Sequence, residues 1–130
     1  MRTRSVPHAE WFSFFEGFTR RHLGRPATLW ILSPQIGAQV EGRDLPLEGI
    51  VSDSLATSIT IQLGGRPGRN VEHPVSHPVR VWLELTDEGD DRALSIESAD
   101  GTTTVLELPS PVLQRLGKGV TAVETVGSAV

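Results

Sequence analysis

The sequence predicts a mainly β (α+β) domain, with an N-terminal helix followed by about six antiparallel strands forming a small barrel or roll. Three observations carry that prediction. A helical period is confined to the first two dozen residues. Period-two alternation recurs from Ala27 onward. Short Gly, Pro and Asp clusters separate the alternating runs, as turns do.

The helix is read over "VPHAEWFSFFEGFTRRHLG", residues 6–24. Trp11, Phe15, Phe18 and His22 fall at spacings of four, three and four, which is one face of a 3.6-residue period. Phe14 widens that stripe, and Phe12 flanks it. Pro7 suits the first turn, Arg20 and Arg21 the last, and Gly24 the stop. So much aromatic area predicts a core cap, with Trp11 and Phe14 as candidates for a partner surface.

Strands follow in order. "ATLWILS" (27–33) puts Leu29 and Ile31 on one side, Trp30 and Leu32 on the other. "PQIGAQVEGRD" reads as a loop or a poorly regular strand. "LPLEGIV" (45–51) is a strand with Pro46 at its start or on an edge and Gly49 at a bend or bulge. "TSITIQL" (57–63) alternates cleanly. "VRVWLEL" (79–85) places Val79, Val81, Leu83 and Leu85 opposite Arg80, Trp82 and Glu84. "RALSIES" and "TTTVLEL" close the series as a hairpin.

That hairpin allows a register prediction. A two-residue turn at Asp100-Gly101 would mix apolar and polar side chains on each face. A three-residue loop, Ala99-Asp100-Gly101, pairs Leu94 with Leu106 and Ile96 with Thr104, which gathers the aliphatic residues on one side. Gly101 is then expected in the left-handed region.

Bulk properties bound the rest. The chain has 130 residues and no cysteine, so one domain is expected, over residues 1–110, without disulfides or thiolate chemistry. Residues 111–130 are small and weakly patterned and read as a mobile tail. No apolar run has the length of a membrane span or of a signal peptide's core, so a cytoplasmic protein is expected. Net charge is −4, which speaks against a nucleic-acid partner. Yet residues 1–80 hold nine arginines against seven acids. Arg20, Arg21, Arg25, Arg66 and Arg69 are therefore the candidate anion or RNA contacts.

Chemistry-bearing motifs are sparse. His73 and His77 of "HPVSHP" each precede a proline, which favours extended backbone. Four extended residues would hold them about 13 Å apart, too far for one metal at about 2 Å from each nitrogen. The segment reads as a stiff lead into the strand carrying Trp82. No serine has a nucleophile-elbow pattern. "GGRPGR" joins two strands rather than opening a helix, and lacks the lysine of a phosphate loop. The acids of "ELTDEGDD" read as a solvated turn. Trp82 stands out because it lies opposite its strand's aliphatic stripe, between Arg80 and Glu84.

Several stretches together, "EWFSFFEGFTRRHLG", "LPLEGI", "HPVSHP" running into "VRVWLE", and "SIESADGTTT", resemble a family of small bacterial proteins catalogued as a domain of unknown function. The resemblance spans about residues 7–108 and implies one compact domain. The helix, the bent glycine-containing strand ending in Asp53 and the histidine-bearing lead into a late strand also resemble Sm-like/SH3-like small barrels.

The sequence thus predicts a non-enzymatic binding or assembly module, without catalytic residues, metal or cofactor. Its candidate partner or ligand surface is Trp82, Arg80, His73, His77, Trp11 and Phe14. A homo-oligomer or a protein partner is expected, and no membrane. Binding of RNA or other nucleic acid through the arginines is the alternative.

Overall fold

The computed structural model describes residues 2–65, 68 and 70–109. Among these the chain forms strand β1 (Arg2–Ser5), a short 3-10 helix (His8–Glu10) and helix α1 (Trp11–His22). Seven strands follow: β2 (Pro26–Ser33), β3 (Gly37–Ser52), β4 (Ile59–Leu63), β5 (Val71–Val75), β6 (Pro78–Leu85), β7 (Asp91–Ser98) and β8 (Thr103–Glu107). All strand pairs are antiparallel.

The eight strands make one sheet in the order β1-β6-β7-β8-β2-β3-β4-β5. The expected barrel is not closed: β1 and β5 end the order and do not pair with each other among the described residues. The sheet is nevertheless strongly curled. Six strand spacings separate β6 from β5 in the order, about 29 Å if the sheet were flat. Yet only Ser76 and His77 join the two strands, a span of at most about 11 Å.

β3 makes the curl possible. Its first part pairs with β2 and its second, from Leu47, with β4. Arg43 and Asp44 oppose the single residue Thr28, and the Asp44 amide donates to Thr28 Oγ1 at 3.2 Å with φ at +54°. The pairing with β2 shifts again between Leu29 and Trp30, and a third irregularity falls between Leu47 and Gly49, where a bend or bulge was predicted. Gly42 lets the far strands close in. A Cβ there would lie 3.4 Å from both Leu63 and Val71, and 3.1 Å from Leu45.

One core cluster results. It holds Leu29, Leu47, Ile59, Ile61, Leu63, Val81, Leu83, Leu94, Ile96 and Leu106 from the sheet. Trp11, Phe15 and Phe18 cover it from α1, and His22 is buried beside them, as the helical spacing predicted. α1 is fixed across β3 by three bonds: Gly24 N–H to Leu47 O at 2.8 Å, Leu47 N–H to Arg25 O at 2.9 Å, and Ile50 N–H to Thr19 Oγ1 at 3.0 Å.

The final hairpin has the predicted register. Leu94 faces Leu106 and Ile96 faces Thr104. The Ser98 amide donates to Thr102 O at 2.8 Å, enclosing Ala99, Asp100 and Gly101, and Gly101 has φ +91°.

Other expectations are corrected. Of the two readings of "PQIGAQVEGRD" the poorly regular strand holds and the loop does not, since most of it is the first, bulged part of the 16-residue β3. Arg2–Ser5 forms a strand on β6 that carries no apolar pattern. "HPVSHP" is not a uniform extended lead. His73 lies within β5, an edge strand of its own, and Pro74 sits beside it. His77 is left-handed, with φ +48°, despite the proline that follows. Its carbonyl accepts from the Ala99 amide at 2.9 Å, so the tight β5–β6 link wins over the pre-proline preference. The predicted tail, 111–130, lies outside the described residues. Among the described residues no helix is long and apolar enough to cross a membrane.

Candidate functional site

The sheet's inner face is core, so chemistry or binding must come from its outer face, its ends or the helix flank. Register alignment defines the outer face. Trp82 faces Ser95, Ser95 faces Val105, Val105 faces Trp30, and Trp30 faces Val40. A single cross-strand row therefore carries two tryptophans, three strand spacings or about 14 Å apart. Between them stand only a serine and a valine. By side-chain size alone the row dips between the two tryptophans into a trough.

Polar residues frame the trough. Arg80 Nη1 donates to Glu97 Oε1 at 2.7 Å. Trp30 Nε1 donates to Glu107 Oε1 at 3.2 Å, and the Arg43 guanidinium lies 5.9 Å from the Trp30 ring centre. A depression of about 230 Å³ opens at the Trp30 end, lined by Trp30, Leu32, Val105 and Ala93 with Glu84, Glu107 and Arg92. Trp82 and Leu32 are each 38% exposed.

The structure sorts the predicted candidates. Trp82 and Arg80 share the outer face. Trp11 does not belong to any surface: it is 1% exposed, and its Nε1–H donates to Val6 O at 2.9 Å. Phe14 is half-buried, with the Arg4 guanidinium 5.7 Å above its ring. His73 is half-buried, and burial lowers its pKa against the opposing field of Glu41. His77 is exposed on its turn. It helps hold the Asp100 carboxyl below the ordinary range, after the larger effect of the Thr102 amide.

Among the described residues Arg21 and Arg25 are engaged in bonds within the chain. Arg20 is exposed. Arg21 Nη2 donates to Asp91 Oδ2 at 3.0 Å. Arg25 donates to His22 Nδ1 at 2.8 Å and to Pro109 O at 3.1 Å. Arg66 and Arg69 lie outside the described residues.

His22 and Asp91 form a histidine–carboxylate pair, with Nε2 2.7 Å from Oδ2. Arginine can only donate, so Nδ1 accepts from Arg25 and Nε2 donates to Asp91. Both ring nitrogens are thus committed to tying the helix end to β7. His8 is likewise occupied, with Nε2 2.8 Å from Ala56 O. No group of three or more potential metal ligands comes together among the described residues.

A second concavity, about 300 Å³, lies between the flank of α1 and the second part of β3. Phe12, Glu16, Thr19, Glu48, Val51 and Gln62 are among its lining residues. Its hydroxyls are spoken for: Thr19 accepts from the Ile50 amide and Ser52 donates to Asp53 O at 3.2 Å. It pairs no nucleophile with a base.

Sequence reasoning singled out Trp82 but missed Trp30, Leu32 and Val105 as its companions. The parity of β2 already put Trp30 and Leu32 on one side. What the sequence lacked was the strand order that brings β2 and β6 onto one face.

The comparisons with known proteins bear on the whole domain. The model of DUF5335, a family of unknown function, matches residues 2–115. The chain belongs to DUF5335. A relative of this member, an uncharacterized protein of Aquifex aeolicus (strain VF5), is 26% identical over 110 residues, covering 83% of this chain and 93% of the relative. No solved structure matches.

Proposed function

We propose that this DUF5335 member is a non-enzymatic binding or assembly module that works through the outer face of its sheet. The observation that carries the reading is the row from Trp82 to Trp30, on the face turned away from the core. Tryptophan and arginine are the residues that dominate binding energy where surfaces meet. A trough between two tryptophans, with Arg80 and Glu97 at its rim, has that composition. The helix drops out of the reading, because Trp11 is interior. The arginine alternative has little behind it, because Arg21 and Arg25 serve internal bonds.

The same reading treats the fold as kin to the Sm-like and SH3-like small barrels. The N-terminal helix and the bent β3 support that kinship, and the two open edges distinguish this chain from a closed barrel.

Hydroxyl-radical footprinting tests the binding surface. Trp82 and Trp30 should be oxidised in dilute purified protein and protected in an extract of the cells that make it. Equal oxidation in both would overturn the reading. Protection abolished by nuclease would move the partner to nucleic acid.

A further inference from the structure

We propose that the occupant of the outer sheet face is a second copy of this chain, related by a two-fold axis. The inference rests on the binding-module reading above and names its partner. In such a pair the same patch meets itself, so the patch must be complementary to itself in both shape and charge.

The shape condition is met on one face. Trp82 is a large apolar side chain, 38% exposed on this face. Beside it the row drops to Ser95 and Val105, and then into the depression walled by Trp30. The exposed Trp82 of one copy has a depression to enter on the other, and the two-fold repeats that contact in reverse. At about 230 Å³ the hollow is smaller than the roughly 300–1,000 Å³ of small-molecule sites. It suits an inserted side chain rather than a metabolite.

The charge condition is met as well. Arg43, Arg80 and Arg92 share this region with Glu84, Glu97 and Glu107. A polyanion or a polycation would meet its own sign across half the face. A copy of the face, turned by the two-fold, can set arginines against glutamates. Homodimer interfaces are richer in apolar and aromatic residues than the rest of a protein surface, with arginine also enriched.

Sedimentation equilibrium of the full chain, across a wide concentration range, tests this. The wild type should show a monomer–dimer equilibrium. Trp82→Glu should weaken it by about thirtyfold or more, as hot-spot loss does, and Trp82→Phe should largely preserve it. Urea unfolding of Trp82→Glu under dilute conditions, where wild type is also monomeric, should match wild type, since the ring is partly exposed. A dimer that is indifferent to Trp82→Glu would overturn the proposal. A wild type that stays monomeric throughout would overturn it too. In that last case footprinting separates the two readings: protection of Trp82 in extract leaves the binding module standing with another partner, and no protection removes both.

Discussion

His22 Nε2 lies 2.7 Å from Asp91 Oδ2, and that bond joins the last turn of α1 to the first residue of β7. Arg21 adds a second bond to the same oxygen at 3.0 Å. Asp91→Ala leaves a buried imidazole donor without its acceptor. Stability should fall by about 2–3 kcal/mol, read from urea unfolding at neutral pH.

The same pair gives a pH dependence with a definite sign. The Asp91 carboxyl is held below its ordinary value of 3.8, chiefly by the His22 bond and against the opposing effect of burial. The native state therefore binds fewer protons than the unfolded chain, and stability rises with pH through that window. The contribution is complete above the ordinary value and is lost as pH falls through the lowered one. Asp53 and Asp100 are also lowered but are common to both proteins. The gap between wild type and Asp91→Ala should therefore hold steady above about pH 5 and narrow as the pH falls from there through the ordinary value and below it.

Helix α1 separates two phenylalanines of unlike worth. Phe15 is fully buried and Phe12 is 44% exposed. Phe15→Ala should cost about 3–5 kcal/mol. Phe12→Ala should cost about 1 kcal/mol or less. Equal losses in urea unfolding would contradict the assigned face.

Gly101 closes the β7–β8 loop at φ +91°, and a Cβ there would stand 3.2 Å from Pro34 Cγ. Gly101→Ala should destabilise by about 1–2 kcal/mol. Amide exchange should quicken first at Ser98, whose bond to Thr102 O spans this loop.

His77 is the reverse case. It holds φ +48° with an exposed side chain. His77→Gly should stabilise the fold by roughly 0.5–1 kcal/mol, since glycine adopts that backbone without a Cβ penalty. A loss of stability would mean that the imidazole itself anchors the turn.

What could be read in the sequence follows physical lines. The face of α1 was legible because Trp11, Phe15, Phe18 and His22 repeat at the helical period over an apolar core. The register of Leu94 with Leu106 was legible because a slip would turn aliphatic residues to water. β1 was not, because Arg2–Ser5 is exposed throughout and is a strand only through its pairing with β6. The first part of β3 could be read only as a loop or a poorly regular strand, because its glycines blur the alternation. Gly42 lies within the strand, allowing close approach rather than a break. Trp82 was visible from the parity of its own strand. Its partnership with Trp30 was not, because a strand order of β6-β7-β8-β2 leaves no trace in any local period.

Pro74 lies within β5, which among the described residues is one edge of the sheet. A proline offers no amide hydrogen to an incoming strand. The opposite edge is the four-residue β1, which carries Arg2 and Arg4, and like charges repel a second strand of the same kind. Both ends of the open sheet are thus poor templates for strand addition. Among the described residues, then, neither edge offers the long, uncharged strand from which fibre growth proceeds.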